Sequence, residues 1–198
     1  MSPLITGHIV VGTLCLTVGL IHLLVGFRKE DRRVDFLFAL MAIGIAGGLF
    51  LDTVMYRSSS IEMFNTTFRI HIYFDILLWI SLIWFIAAYT GTARRSLLLL
   101  STLCYAAAGI VNFLSPYGAL YGEITGLESM TLPWGESVVY AAGTPNPWRY
   151  LADAGWILLI VLSVDSCVRL YRRGARGRAL TLGSALFLVL IVAYVYGT

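Results

Sequence analysis

The sequence predicts an all-α, polytopic membrane bundle with one long extracytoplasmic loop, and three observations predict it. Of its 198 residues, 59% are hydrophobic and only 13% charged, about half the charge a soluble domain carries. Mean hydropathy is +0.82. The apolar residues also come in blocks about as long as a helix needs to cross hydrocarbon, roughly 20 residues, and none alternates as a barrel strand would. Such a chain has too much apolar surface to stay disordered. Cys15, Cys104 and Cys167 each lie inside an apolar run, which excludes a disulfide-stapled secreted module.

Six helices are expected, over residues 7–27, 36–56, 66–90, 96–114, 150–171 and 179–197, because only internally paired backbone is tolerated in lipid. The first is retained rather than cleaved: no basic residue precedes it and no cleavage motif leading into a soluble domain follows. Gly44, Gly47 and Gly48 in the second allow close helix approach. The sixth ends at Val195-Tyr196-Gly197-Thr198 without a polar tail, and Tyr194 and Tyr196 fit an interfacial aromatic belt. Two expectations follow, a freestanding six-helix protein or the front of a longer chain lacking its seventh helix, with the second favoured.

Orientation follows from the basic residues. Arg28, Lys29, Arg32 and Arg33 lie between helices 1 and 2, and Arg94 and Arg95 between 3 and 4. Arg169, Arg172, Arg173, Arg176 and Arg178 surround the last turn, against only Arg57, Arg69 and Arg149 at the opposite end. Basic short loops mark the cytoplasmic side, so the N-terminus is expected outside. The Arg172–Arg178 cluster reads as this topology signal, touching anionic head groups, and not as a nucleic-acid site.

Four connections are short and predict antiparallel neighbours. The fifth, residues 115–149, holds five glycines and four prolines, and loops this long are uncommon unless functional or disordered. Its Tyr117, Tyr121, Leu132, Trp134, Val138, Val139 and Tyr140 argue for order. Residues 127–133 and 137–141, flanking Trp134-Gly135-Glu136, suit a small hairpin. We expect a cap over the outer mouth; a loop merely packed on the outer surface remains open.

Ionisable groups inside a membrane segment are costly and count as functional candidates. Asp52, Arg69, His71, Asp75, Asn112, Asp153 and His8 all fall in the outer half of the span, with Asp75 about 13 Å in at a rise of about 1.5 Å per residue. His71 and Asp75 share a helical face that Trp79 continues. One reading is a polar cavity lined by helices 1–5, covered by the cap with Trp134, that binds a small-molecule ligand. The other is a register-fixing set of bonds, with Arg69 paired to Asp52 or Asp153. On the cytoplasmic side His22 and Asp165 are expected to pair. His8 and His22 share a face at the spacing of stacked haems; His71 could complete a haem b site with His8, but no histidine remains for His22.

No phosphate loop, zinc-protease motif or nucleophile elbow is present, so no enzyme is read here. Asn65-Thr66-Thr67 fits a glycosylation sequon, a weak match. A transporter is disfavoured, since there is no internal repeat and no matched pair of broken helices.

Helix 3 ends Trp84-Phe85-Ile86-Ala87-Ala88-Tyr89-Thr90-Gly91, and helix 4 ends Asn112-Phe113-Leu114-Ser115-Pro116-Tyr117-Gly118. The loop carries Leu132-Pro133-Trp134-Gly135-Glu136 and helix 5 exits through Tyr171-Arg172-Arg173-Gly174. In these soft, aromatic motifs the chain resembles the seven-helix N-terminal input region of bacterial sensor histidine kinases and related signalling proteins. The resemblance covers the chain up to its sixth helix. It implies a sensory module that relays helix movement to a cytoplasmic transmitter, with homodimer formation through that transmitter. The chain departs from the pattern in having neither a seventh helix nor a kinase domain. The competing reading is a b-type cytochrome or other membrane redox protein.

Overall fold

The computed structural model describes residues 2–29 and 32–197, with side chains placed up to Ile191. Six α-helices form: α1 Pro3–Arg28, α2 Arg33–Met55, α3 Ile61–Thr90, α4 Arg95–Leu114, α5 Tyr150–Arg172 and α6 Arg176–Gly197. The described residues hold one two-stranded sheet, β1 Tyr121–Thr131 with β2 Ser137–Pro145, and a 3₁₀ turn at Pro147–Arg149. Five helices, the last counted with that turn, are long and apolar enough to cross a membrane. The expectations placed on Tyr194, Tyr196 and the last residues lie outside the described side chains.

Local chemistry sets the helix starts. Ser2 caps α1, its Oγ accepting from the Ile5 amide at 3.1 Å, and Pro3 follows at the first helical position, where its missing N–H costs nothing. Ser60 caps α3 in the same way, accepting from Met63 at 3.2 Å. This cap starts α3 at Ile61, five residues before the expected 66, because one serine oxygen compensates for the polar Glu62 and Asn65 in the opening turns. Asp75 therefore lies about 21 Å of helix from the first residue. α3 stops at Gly91, whose φ of 60° is open to glycine without a Cβ clash.

The helices pack in a row. α1 lies along α2, α2 along α3, α3 against α4 and α5, α4 along α5, and α5 against α6. The α2–α3 seam is close because Gly44 and Gly47 receive Leu78 and Phe74; a Cβ on Gly47 would enter the Phe74 ring. Between α3, α4, α5 and α6 the space is filled by Leu82, Ile83, Ile86, Leu98, Tyr105, Leu159, Leu162, Leu182 and Leu186.

The hairpin is longer than expected. β1 and β2 pair antiparallel from Tyr121–Pro145 to Thr131–Ser137, with irregularities near Glu123 and Gly126. Its turn is closed by Leu132 N–H to Glu136 O at 2.7 Å and Gly135 N–H to Leu132 O at 2.8 Å. Gly135 supplies the required positive φ of 84°. Ile124 and Ala141 bury against Met55 of α2 and Phe64 of α3, with Phe68, Tyr117, Tyr121 and Leu127 around them. The Val139 amide also reaches the Tyr56 carbonyl beyond α2 at 3.3 Å. The hairpin thus sits on the α2–α3 end of the bundle, which we call the hairpin end, opposite the arginine end.

At the arginine end the basic residues close helix termini. Arg173 and Arg178 donate to the Gly91 and Tyr89 carbonyls at the end of α3, a favourable place for a cation. His22 and Asp165 do not pair. His22 Nδ1 stands 3.0 Å from Asp35, which also holds Lys29 at 2.8 Å, while Asp165 takes Arg94 and Arg169. Each aspartate finds its cation on its own or the neighbouring element, so neither is left to cross the bundle.

Candidate functional site

Three adjacent helices bring four ionisable side chains into line at the hairpin end. His8 stands in the second turn of α1, Asp52 in the last turn of α2, and His71 and Asp75 one turn apart on α3. Asp52 Oδ1 is 3.1 Å from His71 Nε2, and His71 Nδ1 is 3.1 Å from Asp75 Oδ2. On the other side Asp52 Oδ2 faces His8 Nε2 at 3.7 Å. The order is His8, Asp52, His71, Asp75. Both ring nitrogens of His71 face carboxylates, and one carboxylate serves two imidazoles.

Burial makes the arrangement costly to break. The His8 side chain is 4% exposed, Asp52 and His71 are 16% exposed each, and Asp75 is 43% exposed. His8 Nδ1 donates to the Leu4 carbonyl at 2.9 Å. Its Nε2 is buried, faces Asp52 and has no hydrogen-bond partner within range. The Tyr56 ring stands edge-on to His8, with centroids 5.6 Å apart. Gly48 faces the line from α2, where a Cβ would stand in ordinary contact, 3.5 Å from His71 Nε2.

The remaining candidates go elsewhere. Arg69 turns to α4, its guanidinium donating to the Asn112 carbonyl at 3.2 and 3.3 Å and to Phe113 O at 2.9 Å. Asn112, fully buried, returns the bond from Nδ2 to Arg69 O at 2.9 Å and accepts from the Ala119 amide at 3.2 Å. The pair caps the last turn of α4, where unsatisfied carbonyls collect, so Arg69 is not the partner of Asp52 or Asp153. Asp153 pairs with Arg149 at the exposed start of α5, 3.8 Å away. Trp79 leaves the line and stacks on Tyr105 in the core, centroids 6.4 Å apart.

Trp134 stands at the edge of an open recess of about 530 Å³, lined by Pro3, Leu4, Gly7, His8 and Val11 along one face of α1, with Leu49 of α2. The hairpin turn is fastened here by Glu136. Its Oε2 accepts from the Leu4 amide at 3.2 Å and from Trp134 Nε1 at 3.0 Å. A carboxylate at a helix N-terminus meets both free amides and the positive end of the dipole. Sequence reasoning named Gly48 for close helix approach and Glu136 in the hairpin turn, but placed neither at this site. Glu136 had one available signal, its position in the turn beside Trp134; Gly48 had none beyond being a small residue.

Comparison with protein-family models, curated proteins and solved structures finds no match. The four-residue line also decides what the histidines can hold. Axial haem ligands must face each other across a flat macrocycle, but His8 and His71 converge on the two oxygens of one carboxylate. Asp52 occupies the space the macrocycle would take, so the donor set does not fit a haem. Among the described residues no cluster of three or more His, Cys, Asp or Glu side chains suits a metal ion.

Proposed function

We propose that this chain is the membrane-embedded input region of a bacterial signal-transduction protein, which binds a small ligand or senses membrane state at the hairpin end and relays helix movement toward the arginine end. The observation that carries it is the His8–Asp52–His71–Asp75 line. Ionisable groups in apolar helices persist where they do something, and this line ties α1, α2 and α3 at one depth while His8 also borders the recess under Trp134.

In this reading the N-terminus and hairpin face outward and the arginine end faces the cytoplasm of a bacterial inner membrane, as the positive residues argue. The bilayer is its first partner, and any homodimer forms through a transmitter beyond this chain. The chain is not itself an enzyme. A ligand transmits only if it favours one packing of the helices over another. His8 offers such a differential contact, because what binds beside it acts on Asp52 and so on α3.

The test uses the full-length protein. Output from a downstream reporter is compared for wild type, Asp52→Asn and Asp75→Asn at matched membrane levels. Altered or locked output in the variants is expected; unchanged output in both overturns the reading. Reporter fusions in the 28–33 turn and in the hairpin check orientation, with the turn expected inside.

A further inference from the structure

We propose that the recess beside Trp134 holds one acyl chain of a membrane phospholipid, lying along α1 with Leu49 of α2 on its flank and the Trp134 indole at its carbonyl end. The proposal rests on the sensor reading and deepens it: of a soluble ligand and the membrane itself, the recess takes the membrane.

The wall decides the chemistry of the occupant. Pro3, Leu4, Val11 and Leu49 present hydrocarbon, and Gly7 leaves a notch between them, where a Cβ would meet nothing within 4 Å. The polar groups along the rim are engaged inside the protein. Glu136 accepts from both the Leu4 amide and the Trp134 indole N–H. His8, the one ionisable residue of the lining, bonds through Nδ1 to the Leu4 carbonyl and buries Nε2 toward Asp52. A polar or charged head would give up its water here and gain no partner. Water gains none either, and apolar hollows stay dry. A hydrocarbon chain loses nothing on entering, and it gives the walls the dispersion contacts that an empty space of about 530 Å³ forfeits.

The position decides where that chain comes from. The recess is open, and its α1 face continues at helical spacing from Val11 to the exposed Leu14 and Val18, on a helix apolar enough to cross a membrane. Pro3 to Val11 is about 12 Å of helix, close to the depth of one hydrocarbon leaflet, about 15 Å. At the upper edge Trp134 is exposed, and Trp148 and Tyr150 are exposed at the same end, where α5 begins. Aromatic residues at the ends of spanning helices mark the bilayer interface. The mouth therefore lies at headgroup level and the notch at Gly7 below it, where acyl chains are. A chain seated there packs on α1 and α2 together, and so bears on the seam where His8 meets Asp52.

The test uses the full chain in nanodiscs of phosphatidylcholine that carries a diazirine in one acyl chain. Half the sample is photolysed in the disc and half after repeated detergent exchange has stripped the surrounding lipid, and labelled peptides are read by mass spectrometry. In the disc, label is expected on both α1 and the lipid-facing Leu99–Ile110 stretch of α4. After exchange, lipid should be retained and its label confined to the Leu4–Val11 stretch, Leu49 and the Trp134 turn. Gly7→Leu fills the notch and should cut the retained label at least fivefold, and Gly7→Ala should cut it less. The α4 label in the disc should hold in both variants, which shows that they fold. No retained lipid, retained label spread equally over α4, or retention untouched by Gly7→Leu would overturn the proposal. So would a dimer in detergent whose contact buries the recess, since a second copy would then be the occupant. The two readings fail separately. Lipid held in the recess with full-length output unchanged by Gly7→Leu sinks the sensor reading alone, and output lost in Gly7→Leu with no lipid retained in the wild type sinks only the acyl chain.

Discussion

Asp52 lies between two imidazoles, 3.1 Å from His71 on α3 and 3.7 Å from His8 on α1, so one carboxylate at the end of α2 joins both of its neighbours. Because helices in lipid gain little from apolar contact with each other, such polar links carry more of their register than in water-soluble bundles. Asp52→Ala should cost about 1–3 kcal/mol, as two imidazoles lose their partner, and Asp52→Asn less, since an amide still bonds one of them. Reversible unfolding in mixed micelles measures both.

Asn112 and Arg69 hold each other, backbone to side chain, across α3 and α4. Asn112→Ala strands the Ala119 amide and the Arg69 carbonyl in a fully buried place. The expected loss is about 2–3 kcal/mol.

Gly47 receives the Phe74 ring. Gly47→Ala should destabilise the α2–α3 seam by about 1–3 kcal/mol through overpacking, despite alanine's better helix propensity. Phe74→Ala in the same chain should recover part of the loss. Gly7→Ala, which meets nothing, should be neutral or stabilising in the same assay.

Glu136 fastens the hairpin turn to the first turn of α1. In Glu136→Ala the Leu4 amide should exchange with deuterium several-fold faster, consistent with about 0.5–1 kcal/mol for a carboxylate at a helix N-terminus. Exchange within α4 should stay at the wild-type rate.

Tyr140 donates to Glu128 Oε2 at 2.6 Å across the strands. That hydrogen bond, then the Glu128 charge, holds its phenol above the ordinary value of about 10. A raised folded value means the contribution to stability is present below about pH 10 and is lost as pH rises through the raised value. Ultraviolet titration of tyrosinate should show one group moving down in Glu128→Gln.

How much of this was legible beforehand differs by element. The apolar blocks, their number and the turn at Trp134-Gly135-Glu136 were readable because helix length and turn chemistry are local properties. The start of α3 was misplaced by five residues because the serine cap competes against polar residues that hydropathy alone reads as loop. His71 and Asp75 share a face by spacing, so their pairing was also local.

What the sequence by itself determined is the class of elements and which polar residues cannot sit comfortably in lipid. Which of those residues meet was decided only by tertiary structure. Arg69 and Asp52 stand at the same end of the bundle, yet Arg69 turned to the bare carbonyls of α4 while Asp52 took the histidines. The physical reason is that a buried polar group accepts whichever partner the packing brings within about 3 Å, and helix order, set by glycine seams and filled leucine layers, is a property of the assembled chain.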